Sequence, residues 1–223
     1  MNQLAEAASF KPGCSDALEL LLIRHSVGPK HLVAPAPTEE QVWVALCAAL
    51  RAPDHEKLVP YRFVLIPDAA RPVLGDLFAD FARRCGKSDE EILVERKRAM
   101  RGPLLLAFIT RIDNDHQRVT PHEQWLAAGG ALANFMTALH LMGYAAKVLS
   151  GRKATDPAIQ AAFCKPGETL VGWIAAGTAS KTPHPRENDN PDAILRHWQP
   201  PEARNFNDPA RNTGARALLK PNL

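Results

Sequence analysis

Thr120-Pro121-His122-Glu123-Gln124-Trp125-Leu126-Ala127-Ala128-Gly129-Gly130-Ala131 opens the segment on which the fold turns. Its first four residues put a hydroxyl at the N-cap, proline at N1 and a carboxylate at N3, where each satisfies or spares a free backbone N–H. The helix they start should run from Pro121 to Met142 and stop before Gly143. At a rise of 1.5 Å per residue it is about 33 Å long, enough to cross a whole domain. Two adjacent glycines cost such a helix roughly 2 kcal/mol relative to alanine. Small residues at 127–131 therefore ask for the close approach of another backbone or a flat ligand, either within a crowded core or at a dimer seam.

Apolar segments flank this helix. Leu104 to Thr110 follows the Gly102-Pro103 break and reads as a buried strand, Tyr144 to Leu149 as another, and Leu170 to Ala176 as a last one before Gly177. Tyr61 to Ile66, bounded by Pro60 and Pro67, is expected to be a buried strand too. Nearer the N-terminus, Ser15 can cap a helix in which Leu18, Leu21 and Leu22 share a face, ending near Arg24. Thr38 and Gln41 make a capping box for a second, with Val42, Leu46 and Leu50 as its stripe and Pro53 as its stop. Val73, Leu74, Leu77, Phe78 and Phe81 mark a third, Ser88 and Glu91 cap a charged fourth running to about Met100, and Thr155-Asp156-Pro157 starts a short one. Helices and strands in this mixed order, without regular alternation, predict an α+β fold.

The chain of 223 residues and 24.4 kDa suffices for one well-buried domain. With 46% hydrophobic and 23% charged residues it is globular in composition, and a net charge of +3 is too slight for a nucleic-acid binder. Cys14, Cys47, Cys85 and Cys164 lie far apart, so neither a zinc ribbon nor a disulfide framework follows, and Cys47, among Val42, Trp43 and Leu46, reads as a reduced core thiol. No signal peptide and no apolar run of about 20 residues is visible, which predicts a cytoplasmic protein without membrane association. From Lys181 the character changes: seven of the 19 prolines fall there with little periodicity. Residues 1–180 are read as the domain and 181–223 as a tail, either disordered or extended over a partner subunit.

Several catalytic motifs fail on inspection. His122-Glu123-Gln124-Trp125-Leu126 has leucine where a zinc protease needs its second histidine, and His55-Glu56-Lys57-Leu58-Val59 fails likewise. No Gly-x-Gly-x-x-Gly follows a strand, and Gly-x-Ser-x-Gly and Walker patterns are missing, so no metal site is expected. Two basic clusters remain. Arg24-His25-Ser26 follows the first helix, and Arg51-Ala52-Pro53-Asp54-His55 follows the second. Guanidinium forks and a hydroxyl suit an anion. A helix C-terminus offers no free N–H groups, so a phosphate here would be held mainly by side chains. Taken singly, each arginine is ordinarily a solvated cap complementing the helix dipole.

Their order, helix, Arg-x-Ser, helix, Arg-Ala-Pro-Asp-His, strand, resembles the FMN-dependent nitroreductase family, and within it the small YdjA-type NAD(P)H nitroreductases. Ala17-Leu18-Glu19-Leu20-Leu21-Leu22, the Pro35-Ala36-Pro37-Thr38 connector and Val171-Gly172-Trp173 leading to Gly177-Thr178 also fit. The resemblance covers residues 15–180. It implies a central mixed or antiparallel sheet surrounded by helices, a long central helix, and a homodimer with FMN at the subunit interface. The positions implied to bind FMN are Arg24, His25, Ser26, Arg51, His55 and Ser150. His25 replaces an arginine, Pro29 replaces another, and the family's Trp-Arg-Ser segment is Val148-Leu149-Ser150. With two cationic positions lost, the phosphate site should be weaker than in its relatives unless Lys30, Lys57, Lys147 or Arg152 compensates. His25 can donate to phosphate when protonated, so flavin affinity should weaken as pH rises through its pKa.

The implied activity is hydride transfer from NAD(P)H to FMN, then ping-pong reduction of an electron-poor small molecule such as a nitro compound or quinone. Arg51 and Lys147 are candidates for stabilising the charge of reduced flavin. No residue is assigned as acid or base; His55 comes nearest, with a purely binding role favoured. The alternative reading is a flavin-binding or vestigial protein without useful turnover.

Overall fold

The computed structural model describes residues 14–181, 191–195 and 197–198. The chain divides into two units, Met1–Pro185 and Arg186–Leu223. In the second, the described residues include one 3₁₀ turn, Pro191–Ala193, and most of the tail lies outside the described residues.

The first unit contains six helices among its described residues: α1 (Cys14–Ile23), α2 (Glu39–Ala49), α3 (Arg71–Arg84), α4 (Asp89–Arg98), α5 (Pro121–Leu141) and α6 (Pro157–Phe163). Its strands are β1 (Leu32–Val33), β2 (Tyr61–Leu65), β3 (Leu104–Thr110), β4 (Ala145–Leu149) and β5 (Thr169–Ala179). The capping boxes at Thr38–Gln41, Ser88–Glu91 and Thr120–Glu123 all form. In α6 the cap is Asp156, whose carboxylate accepts from Ala158 and Ile159 N–H. Gly143 takes the left-handed φ of 87° that ends α5.

All strand pairs are antiparallel, in the order β1-β5-β3-β2, with β4 also pairing β5. The fold is α+β, as expected. β3 lies between β2 and β5 and is buried on both faces, which explains its unbroken apolar run. Its alternation divides the core. Leu105, Ala107 and Ile109 pack with Leu74 and Phe78 of α3, whereas Leu106 and Phe108 pack with Phe135 and Leu139 of α5. The ring centroid of Phe63 lies 4.9 Å from that of Phe108 and 4.7 Å from that of Phe135. Burying each of the last two completely contributes roughly 1.5–3 kcal/mol.

Two expectations are corrected. β2 is only half-buried and exposes Leu65, because it pairs with β3 alone and forms a sheet edge. Cys47 is exposed rather than in the core. α2 seats Ala45 and Ala49, backed by Val42 and Leu46, and leaves Trp43, Val44, Cys47 and its cap residue Leu50 open. The same is true of α1, where Leu20 to Ile23 are exposed.

Candidate functional site

The two basic clusters are anchored to opposite ends of α5. At the C-terminal end, His140 Nε2 donates to the Leu20 carbonyl at 2.8 Å, fixing α1. Just beyond Ser26, buried Val27 donates its N–H to Ala146 on β4 at 3.3 Å. At the N-terminal end, a Cβ on Gly130 would lie 3.3 Å from that of Ala52, so the missing side chain admits the Arg51–His55 segment. His55 Nδ1 meets Glu123 Oε1 at 3.1 Å. Glu123 and His140 are about 25 Å apart along the helix. One chain therefore does not bring Arg24, His25 and Ser26 together with Arg51 and His55.

In the first cluster, Arg24 is half-buried and makes no side-chain hydrogen bond or ion pair among the described residues. His25 Nδ1 donates to the Ile23 carbonyl at 2.9 Å, while its Nε2 is enclosed without a partner. With Nδ1 so committed, Nε2 can donate only in the imidazolium form. Ser26 is exposed. Ser150, one residue past β4, donates its hydroxyl to Val171 O at 2.7 Å, leaving its lone pairs rather than its proton for a ligand. Exposed Lys147 shares its face of β4 with Leu149, two positions on.

In the second cluster, Arg51 is exposed and likewise unpaired among the described residues, beside a shallow hollow lined by Cys47, Ala48 and Leu50. The loop after it is strained, with left-handed φ at Glu56 (62°), Lys57 (56°) and Val59 (47°). A β-branched residue in that region is a genuine outlier. Asp54 holds the loop by accepting from Val59 N–H at 2.7 Å, and Glu56 holds it from Arg118 Nε, also at 2.7 Å. His116 Nε2 stands 3.7 Å from Glu56. The N–H and hydroxyl of Thr120, then His55, hold the Glu123 carboxyl at about 2, well below the usual carboxylate range.

Between the clusters α5 presents an open stripe of Trp125, Leu126, Gly129 and Ala133. Nothing lies within 4 Å of where a Gly129 Cβ would stand. Among the described residues no group of three or more His, Cys, Asp or Glu could hold a metal ion, and no helix is long and apolar enough to cross a membrane.

The family model described as "Nitroreductase family" matches residues 22–178, a span holding both clusters, α5, β1 to β4 and all but the last residue of β5. The chain belongs to the nitroreductase family. It is 32% identical over 164 residues to YdjA of Escherichia coli (strain K12), a protein named for NAD(P)H nitroreductase activity, covering 73% of this chain and 88% of that one. A similarly named Haemophilus influenzae protein matches at the same identity and coverage. Among solved structures, a nitroreductase-like family protein from Bacillus cereus superposes with a TM-score of 0.68 at 18% identity, covering 86% of this chain and 99% of that one. One from Desulfovibrio desulfuricans, solved in complex with FMN, gives 0.61 at 20% identity, covering 86% and 100%. These likenesses show the fold.

Other features of this nitroreductase-family chain escape sequence reasoning. Glu123 reads as a helix cap only; its second oxygen serves His55, 68 positions upstream. Glu95, 4% exposed, gathers Lys87 at 2.6 Å, Lys153 at 2.8 Å and Arg98 at 2.9 Å. Burial raises its carboxyl, but these cations outweigh burial and hold it at about 2. Lys153, its ammonium 4.2 Å from the Phe78 ring centre, ties the turn after Ser150 to α4. Burial lowers the Lys153 ammonium in spite of Glu95.

Proposed function

We propose that the chain is an FMN-dependent NAD(P)H oxidoreductase that reduces electron-poor small molecules such as nitro compounds or quinones, acting as a homodimer with a flavin in each of two composite sites. One observation carries the reading: two basic clusters, each with an arginine that has no partner among the described residues, lie at opposite ends of a long helix whose intervening face is apolar, glycine-notched and open. Laid antiparallel against its copy, α5 would set Arg24, His25, Ser26 and Ser150 of one subunit beside Arg51 and His55 of the other. A twofold axis requires that arrangement at both ends.

The residues present fit a phosphate-tailed flavin. Arg62, Arg71, Arg83, Arg84, Arg96, Arg98 and Arg118 all hold carboxylates. Among the described residues Arg24 and Arg51 hold none, as is true of Arg101, Arg111 and Arg152, but beside Arg24 the enclosed His25 Nε2 adds an unpartnered polar atom. Arg24 and Ser26 would bind the phosphate, with His25 joining as imidazolium and Lys147 supplying charge where the family's Trp-Arg pair is replaced. Arg51 would face the ring's polar edge with positive potential. When bound, FMN supplies the two-electron chemistry, accepting hydride from NAD(P)H and passing it on. The protein's task is to orient the ring, exclude water and supply positive charge.

Purified protein that is yellow, dimeric, and bleached anaerobically by NADH or NADPH would support this reading. Yellow protein that both reductants leave oxidised would support binding without turnover instead. A colourless monomer that takes up no FMN in excess would overturn both.

A further inference from the structure

We propose that Glu123 is a positioning residue, which holds His55 with its proton on Nδ1 and so turns Nε2 outward as the nitrogen that exchanges protons at the site. The inference rests on the function proposed above.

Surface His–carboxylate pairs are ordinarily transient. Here both partners are fixed in advance. Glu123 Oε2 is committed to the capping box of α5, accepting from the Thr120 N–H and hydroxyl at 2.8 Å each, which leaves Oε1 aimed at His55. His55 enters on a loop that departs at once into left-handed φ at Glu56 and Lys57, held by Asp54 and by Glu56 with Arg118. An ionised carboxylate can only accept, so Nδ1 is the N–H nitrogen. His55 is 55% exposed, and no hydrogen bond among the described residues engages Nε2.

A carboxylate behind an imidazole stabilises the imidazolium and fixes its tautomer, so one ring nitrogen handles protons while the other stays anchored. Reduction of a quinone shows the need. A quinone that accepts a hydride, two electrons and one proton, becomes the hydroquinone anion. A second proton must then reach the remaining oxygen. The Nε2–H bond of the imidazolium breaks, an O–H bond forms, and the ring becomes neutral with Nδ1–H retained; a solvent proton then adds to Nε2 and restores the imidazolium. The charged and titratable groups nearest this pair in sequence are Arg51, Asp54, Glu56 and Lys57 beside His55 and His122 beside Glu123, and His116 and Arg118 reach the loop through Glu56.

The test is ¹⁵N NMR of the imidazoles in the full chain with FMN added, His55 being identified by H55Q, alongside steady-state reduction of a benzoquinone. Wild type and T120A, which weakens the cap but keeps Glu123, should both show Nδ1–H at His55. E123A should shift the proton toward Nε2, lower kcat for the quinone roughly ten- to a hundredfold while the KM for NADH is little changed, and move to lower pH the basic limb of the pH profile that H55Q removes. A neutral wild-type ring that carries its proton on Nε2, or an E123A protein that keeps either the tautomer or the quinone turnover, overturns the proposal. Failure to bind FMN refutes the underlying function instead, and the apoprotein spectrum still decides the tautomer.

Discussion

Replacing Arg24 by alanine should separate the phosphate of FMN from its ring. The guanidinium is half-buried after α1 and makes no internal hydrogen bond or ion pair among the described residues, so its removal leaves no carboxylate stranded. The fold should lose at most about 0.5 kcal/mol. A charge-assisted hydrogen bond to phosphate is worth roughly 1.5–3 kcal/mol, so the Kd for FMN should rise about ten- to a hundredfold. Riboflavin, which lacks the phosphate, should bind both proteins alike. Titration of apoprotein with each flavin, followed by fluorescence quenching at low and at moderate salt, measures both constants. Salt should weaken FMN more than riboflavin. Arg101 and Arg111, also unpaired among the described residues, serve as controls whose alanine variants should bind FMN normally. The reasoning fails if R24A weakens both flavins equally, or binds FMN like the wild type.

Further outcomes follow from the same geometry. E95A, which strands Lys87, Lys153 and Arg98 around a buried site, should cost about 3–5 kcal/mol in urea denaturation. Because the Glu95 carboxyl is lowered to about 2 in the fold, its contribution is complete above the ordinary carboxylate range and is lost as pH falls through that range toward 2; E95Q should flatten that acid limb of stability. G129R should leave the monomer folded, since its Cβ meets nothing, yet abolish the dimer in sedimentation, whereas G130L should destabilise the chain itself against Ala52. T120A should cost about 1 kcal/mol through the lost cap, read by chemical denaturation.

Local chemistry made much of this fold legible. The capping boxes at Thr38, Ser88 and Thr120 announce their helices because hydroxyl and acceptor sit three residues apart, and the apolar run 104–110 announces a strand buried on both faces. Periodicity does not say which of two apolar faces is covered. Val42 and Leu46 pointed to a core around Cys47, yet the opposite face of α2, with Trp43 and Val44, is apolar as well and stands open. The edge position of β2 depends on strand order, which its own composition does not record. At the site, Arg24 and Arg51 were readable as chain neighbours of helix ends. Their separation along α5 was not, because it depends on packing between Gly130 and Ala52 and between His140 and Leu20. The left-handed turn at Glu56, Lys57 and Val59 carries no glycine or asparagine to betray it.

The claim that each site is built from two subunits can be tested by complementation. R24A and R51A would be prepared as apoproteins, each at an FMN concentration where neither homodimer binds, then unfolded and refolded together. Half the dimers formed at random are mixed, and each mixed dimer carries one undamaged site, so binding should return at about one flavin for every four chains. No recovery on mixing, with both proteins dimeric and folded, would contradict the account.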